Sequence, residues 1–149
     1  MVEFQVMFVA IGVLAAAGWL ISYYFFQVHH NRLQEDVWWM PSFLRMSNCR
    51  CDEIVESPFG RMGKRSNAYW GLWYYGLLVA LLILNSYDSY KLTEFIFILT
   101  LFAMSQTVYL LWGLYTLKVA CRPCLGVHFI NMVIFLIFLR MEWHNLFIG

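Results

Sequence analysis

A chain of 149 residues is long enough for one domain, but its composition excludes an ordinary soluble one. Apolar residues make up 62% and charged residues only 13%, and so small a chain has too little interior to hide that much apolar surface from water. The net charge of +1 gives no electrostatic basis for a nucleic-acid partner. We therefore expect membrane lipid to be the solvent of most of the chain.

Four charge-free apolar runs predict four membrane-spanning helices, because only a helix satisfies its own backbone within lipid. The first run is too long for the apolar part of a secretory signal and lacks a basic start, so we expect a permanent span. The fourth, between Arg122 and Arg140, has 17 residues, the lower limit for a span. The predicted helices cover about 4–26, 68–87, 95–117 and 121–139.

The predicted fold is an all-α membrane protein, a four-transmembrane-helix bundle formed by one domain, 1–149. Four crossings place both termini on one side of the membrane. The long loop at 27–67 and the third connection then lie together on the other side. Within that loop, the segment at 37–46 is too short to span but carries two tryptophans, so we expect a short interfacial helix over the mouth of the bundle.

The four cysteines fall on one face of the membrane by this topology alone. Cys49 and Cys51 lie in the long loop, and Cys121 and Cys124 begin the fourth helix. The positive end of a helix dipole and the neighbouring Arg122 both favour a thiolate, which is the reactive form of cysteine. The inner pair therefore indicates a redox site, with a static disulfide as the plainer alternative.

The outer pair has an unusual spacing. In an extended chain, residues two apart have Cα atoms separated by about 6.6–7.2 Å, more than a disulfide prefers, so bridging Cys49 and Cys51 requires a tight turn. An exposed, easily exchanged disulfide suits an electron shuttle better than a structural staple. The alternative is a metal site that uses four thiolates as soft ligands, in a heavy-metal-binding membrane protein.

The fourth helix carries its polar and reactive groups on one stripe. At 100° per residue, Cys121, Cys124, His128 and Asn131 lie within about 80° of one another. Polar side chains at this depth usually face the interior of a bundle. Two interpretations stay open for His128 and Asn131: they tie helices together, or they line a pocket for a head group with two carbonyls.

These residues resemble the vitamin K epoxide reductase family, in its prokaryotic-type form without a fused thioredoxin domain. The segment CRPCLGVHFIN is similar to the family's fourth helix, and the stretch from the loop cysteine to an Asn-small-x-aromatic-Gly motif is similar to its loop. The matching positions are Cys51, Ser57, Asn67, Gly71, Cys121, Cys124 and Asn131.

The resemblance implies a membrane thiol–disulfide oxidoreductase that supports disulfide formation. Electrons would enter from a separate thioredoxin-like dithiol protein at Cys49, pass through Cys51 to Cys121, and leave from Cys124. Their acceptor would be a lipid quinone of the menaquinone, ubiquinone or vitamin K type, or its epoxide. The alternative is a DsbB-type quinone reductase. In that type the two cysteine pairs occur along the chain in the opposite order to the one found here.

The resemblance also implies a quinone pocket, and we expect no resident metal. Asn67 would bond a quinone carbonyl, and Ser57 would support the loop above it. His128 stands where the family commonly has a tyrosine, which weakens the case for epoxide reduction. The predicted quinone-binding residues are Asn67, Ser57, His128, Asn131, Val55 and Phe59.

The orientation of the protein in the membrane is ambiguous from charge. The loop and third connection hold eight Lys and Arg residues, whereas the opposite face holds only Lys91 and Arg140. The positive-inside rule alone would place the cysteines in the cytoplasm. Relatives place them outside, where disulfides persist. We expect a multi-pass protein of the cell membrane with an extracytoplasmic cysteine face, and the inverted orientation remains the alternative.

Overall fold

The computed structural model describes residues 2–87 and 91–148. Four of its helices are long and apolar enough to cross a membrane, which confirms the predicted all-α, four-span fold and makes the chain a multi-pass membrane protein. The helices are α1 (Val2–His29), α2 (Cys51–Glu56), α3 (Asn67–Tyr87), α4 (Lys91–Leu117) and α5 (Arg122–Ile148); β1 (Arg61–Met62) and β2 (Arg65–Ser66) form a small antiparallel hairpin.

The spanning helices are longer than the apolar runs that predicted them. The largest difference is in α5, predicted to end at 139, which instead continues through Arg140 and Glu142 to Ile148. A charged side chain ends a stretch that suits hydrocarbon, but it does not end a helix, which continues into the interface. α1 and α4 likewise begin before the predicted 4 and 95. The connection left between the predicted helices at 68–87 and 95–117 includes 88–90, which lie outside the described residues.

Two helices that reach the cysteine-bearing face end in the same way. Asn31 after α1 and Lys118 after α4 adopt left-handed backbone conformations, with φ of 56° and 54°. At the end of α4 the Val119 amide donates to the Leu114 carbonyl at 3.2 Å, which satisfies one of the last free carbonyls of the helix. Neither helix has the usual glycine here, so the sequence carries no simple signal for these ends.

The long loop folds into a compact cap over one mouth of the bundle. Its helix is α2, which lies later than the 37–46 segment expected to be helical. That segment holds a 3-10 turn at Ser42–Leu44, and the extended Arg45 separates this turn from the next one, which begins at Met46. Further 3-10 turns at Met46–Asn48 and Pro58–Gly60 flank α2.

A buried tyrosine ties the cap to α1. The Tyr24 side chain is fully buried, and its hydroxyl donates to the Glu35 carbonyl at 2.6 Å while accepting the Met46 amide at 2.9 Å. One hydroxyl therefore joins the beginning of the cap to the turn that precedes the outer cysteines. On α4, Gly113 leaves room for the Phe59 ring, since a Cβ there would lie 2.7 Å from the ring's Cδ1.

The four spans do not pack equally. α1 packs closely against both α3 and α5, and α5 also packs against α4, whereas α3 and α4 make the loosest contact of these neighbouring pairs. The close α1–α3 contact depends on Gly18, because a Cβ on this residue would lie 2.6 Å from Cε1 of the buried Tyr75 ring. The looser side of the bundle, between α3 and α4, is where a cavity forms.

We expect Gly18→Ala to destabilise the bundle, by about 1–3 kcal/mol, because an added methyl group must displace a buried ring. Gly12→Ala is the matched control on the same helix, since nothing lies within 4 Å of its added Cβ. Its effect should be at most about 0.5–1 kcal/mol, on the stabilising side. Thermal midpoints in detergent micelles measure both, and equal midpoints for the two variants would contradict the packing described.

Candidate functional site

The outer cysteines form a disulfide with each other. The 3-10 turn at Met46–Asn48 and the start of α2 bend the chain on either side of the pair, and the Cys49 amide donates to the Met46 carbonyl at 3.2 Å. This turn brings the Cα atoms of Cys49 and Cys51 to 5.3 Å, within the range that a disulfide spans. Cys51 is buried, at 1% exposure, and Cys49 is half-buried. Of this pair, Cys49 is therefore the more accessible from outside.

Charged side chains surround the outer pair. Arg50, between the two cysteines, bonds the Glu53 carboxylate at 2.6 Å, and His29 at the end of α1 lies 3.6 Å from the Asp52 carboxylate. Asp52 and Glu53 occupy the first turn of α2, where negative charge is favoured by the helix dipole. The contact between His29 and Asp52 places the first turn of α2, and with it Cys51, beside the end of α1.

The inner cysteines also form a disulfide, at the start of α5. The Cα atoms of Cys121 and Cys124 are 5.2 Å apart, and the Leu125 amide donates to the Cys121 carbonyl at 2.9 Å. Pro123 fits in this first turn because a proline there removes no helical hydrogen bond. Cys121 is fully buried, whereas Cys124 is partly exposed and lines the cavity. The two sulfurs of the pair therefore face different surroundings.

The cavity beside Cys124 has a volume of about 340 Å³ and mostly apolar walls. This volume lies in the range of small-molecule sites in proteins, which combine apolar walls with a few placed polar groups. Its exposed wall includes Trp73 and Phe102, at 65% and 54% exposure, so the cavity reaches the outer surface of the bundle between α3 and α4. Among its polar and reactive lining groups are Asn67, Gln106, Thr107, Cys124, His128 and Asn131.

The structure brings together most of the predicted pocket residues. Cys124, His128, Asn131, Asn67 and Val55 all line this one cavity. They come from the cap, α3 and α5, so residues separated by more than half the chain meet at a single site.

Two predicted pocket residues lie behind the cavity wall. Ser57 donates to the Ile54 carbonyl at 2.6 Å and accepts the Gly60 amide at 3.3 Å, so its hydroxyl holds the turn after α2. Phe59 faces α4, with its ring centroid 5.2 Å from that of Tyr109. These two residues shape the cap and do not line the cavity.

Asn67 links the cap to the first turn of α3. Its side-chain amide nitrogen donates to the Phe59 carbonyl at 2.9 Å. The second N–H of this amide has no protein acceptor within residues 2–87 and 91–148, and the side chain lines the cavity. Asn67 can therefore hold the cap and donate to a bound molecule at the same time.

A chain of polar groups crosses the bundle below Cys124. The Tyr75 hydroxyl on α3 donates to Asn131 Oδ1 on α5, and Asn131 Nδ2 donates to Thr107 Oγ1 on α4 at 3.2 Å. Thr107 Oγ1 lies 3.2 Å from Nδ1 of His128. Asn131 thus has both ends of its amide engaged and ties helices together while lining the cavity. Sequence reasoning missed Tyr75 and Thr107, since neither residue type stands out within an apolar run.

The described residues hold no group of three or more His, Cys, Asp or Glu side chains placed to bind one metal ion. With each pair joined as a disulfide, the four cysteines do not present the set of four thiolates that the metal-binding alternative requires.

The model of the vitamin K epoxide reductase family matches residues 9–139, which is most of the chain and includes both cysteine pairs and the cavity. No curated protein and no solved structure matches significantly.

Proposed function

Because the chain belongs to the vitamin K epoxide reductase family and is therefore a membrane oxidoreductase, we propose that it carries electrons from a dithiol protein to a lipid quinone. The observation that carries this proposal is the placement of the two disulfides. One includes the half-buried Cys49 in the cap, and the other includes Cys124, which lines an apolar cavity. The match to this family also favours this reading over a DsbB-type reductase, in which the two cysteine pairs lie in the opposite order along the chain.

Electrons enter at the outer pair. A thiolate of a thioredoxin-like partner attacks the half-buried Cys49, which breaks the Cys49–Cys51 disulfide and forms a mixed disulfide with the partner. Cys51 leaves as a thiolate. The partner's second thiol then attacks the mixed disulfide, and the partner departs with its own disulfide while Cys49 and Cys51 hold the two electrons. Burial of Cys51 directs the first attack to Cys49.

Transfer to the inner pair takes two exchanges. The Cys51 thiolate attacks Cys121, which breaks the Cys121–Cys124 disulfide and releases Cys124 as a thiolate. Cys49 then attacks Cys51, which restores the outer disulfide and leaves Cys121 and Cys124 reduced. Cys51 and Cys121 belong to the same buried core, so this exchange is sheltered from other thiols. When the inner disulfide re-forms, two electrons and two protons leave for the quinone.

The cavity suits a quinone head group and its lipid tail. A bound quinone accepts two electrons and two protons and is released as the quinol. Cys124 supplies the thiolate, and the free N–H of Asn67 supplies a donor for a carbonyl oxygen. The exposed wall at Trp73 and Phe102 gives an isoprenoid tail a route to lipid without crossing the cap.

The same chemistry favours an extracytoplasmic cysteine face, because the disulfides must persist between turnovers. After mild reduction of intact cells, a membrane-impermeant maleimide should label Cys49, the half-buried loop cysteine. Labelling that appears only after the membrane is opened would show the inverted orientation, with disulfide formation on the cytoplasmic side. A variant with Cys49→Ala controls for labelling elsewhere.

Purified protein supplied with a dithiol reductant should reduce a short-chain quinone, and Asn67→Ala should weaken quinone binding. Loss of one hydrogen bond to a neutral acceptor typically costs about 0.5–1.5 kcal/mol, which is roughly a two- to tenfold rise in Kd. Ser105→Ala is the control, because this exposed hydroxyl bonds only the Phe102 carbonyl among the described residues and lies outside the cavity. No quinone reduction by the unmodified protein would refute the proposed function, and an unchanged Kd in Asn67→Ala would refute the role of Asn67.

A further inference from the structure

His128 lies one helical turn below Cys124 on α5 and lines the same cavity. Its side chain is buried, at 7% exposure, and its Nδ1 lies 3.2 Å from the hydroxyl oxygen of Thr107. Within residues 2–87 and 91–148, no protein group bonds the other ring nitrogen, Nε2. The proton of a neutral imidazole resides on one nitrogen or the other, and the bond made by Nδ1 decides which.

Tyr75, Asn131, Thr107 and His128 form a chain of hydrogen bonds, and the direction of each bond can be derived by starting from Tyr75. The Tyr75 hydroxyl has two acceptors in reach, Oδ1 of Asn131 and, at 3.3 Å, the Val127 carbonyl, and the contact with Oδ1 is the shorter of the two. Since Oδ1 faces this hydroxyl, the Asn131 amide presents Nδ2 on its other side. Nδ2 can only donate, and it donates to Thr107 Oγ1 at 3.2 Å. The Thr107 oxygen therefore already accepts one hydrogen bond, and its own proton must find an acceptor elsewhere.

Other hydroxyls on α4 show where such a proton usually goes. Thr100, Ser105 and Thr116 each donate back to a carbonyl of their own helix, at 2.8, 2.7 and 2.8 Å. Thr107 makes no such bond within the described part of α4, and Nδ1 of His128 is the acceptor in reach. The Thr107 hydroxyl therefore donates to Nδ1.

We propose that Tyr75, Asn131 and Thr107 are positioning residues that hold His128 as the neutral tautomer with its proton on Nε2, a donor for a quinone oxygen in the cavity. This inference rests on the proposed function for the identity of the ligand. A quinone oxygen only accepts hydrogen bonds, so the opposite tautomer would place a lone pair against it. A neutral imidazole can polarise a carbonyl without first gaining a proton.

A network that only held helices together would have the same distances, so the tautomer itself must be measured. The full-length protein, labelled with ¹⁵N-histidine in detergent micelles, has four histidines, and His128→Gln assigns the His128 signals by difference. The nitrogen shifts should show a protonated Nε2 and an unprotonated Nδ1 before any quinone is added. This measurement does not depend on activity.

Thr107→Val removes the donor while keeping the shape of the side chain, and the preference for Nε2–H should be lost. Binding of a short-chain quinone should weaken roughly two- to tenfold, the effect of one neutral hydrogen bond. Thr107→Ser is the matched control, since it keeps the hydroxyl and should keep both the tautomer and the affinity. Tyr75→Phe, which removes the donor at the far end, should shift the tautomer in the same direction and provides a second test if Thr107→Val does not fold.

A protonated Nδ1 in the unmodified protein would overturn the inference, as would an unchanged tautomer in both Thr107→Val and Tyr75→Phe. The expected tautomer changes without any change in quinone affinity would also overturn it, because His128 would then not donate to the ligand. Failure of the unmodified protein to bind any quinone would instead refute the proposed function. The two failures can be told apart because the tautomer of His128 is measured in the protein without quinone.

Discussion

The structure depends on the requirement that a backbone in lipid satisfy its own hydrogen bonds. This requirement makes each apolar run a helix, and four helices place the loop and the third connection on one side of the membrane. Both cysteine pairs lie in these two connections or at their ends, so they share one face. Access then differs within each pair, because Cys51 and Cys121 are buried whereas Cys49 and Cys124 are partly exposed.

In the proposed relay, the cap must stay attached to the bundle without preventing exchange between the two disulfides. Its attachments are local: the Tyr24 hydroxyl holds its beginning and middle, and the Asn67 amide holds its end through the Phe59 carbonyl. Among the described residues, which include all four cysteines, no disulfide joins the cap to a spanning helix. A Cys51–Cys121 bond during turnover would therefore be a transient addition to attachments that are otherwise noncovalent.

Sequence reasoning predicted the fold class, the four spans and the common face of the cysteines, because lipid imposes simple rules on length and composition. It placed helix ends poorly, since charge marks the edge of hydrocarbon and not the end of a helix, as α5 shows beyond Arg140. The predicted pocket included Phe59, whose ring instead fills the space at Gly113. Tyr75 and Thr107 depend on which faces of α3 and α4 turn inward, and those rotations are set by packing.

The central claim is that electrons pass from the outer pair to the inner pair inside the chain. Its most direct test is a variant with Cys49→Ala and Cys124→Ala, in which Cys51 and Cys121 are the remaining cysteines. After oxidation by a small-molecule disulfide, which needs no Cys124, proteolysis without reduction and mass spectrometry should find these two joined in a disulfide within one chain. If both remain free thiols, or join only between separate chains, the internal relay is contradicted.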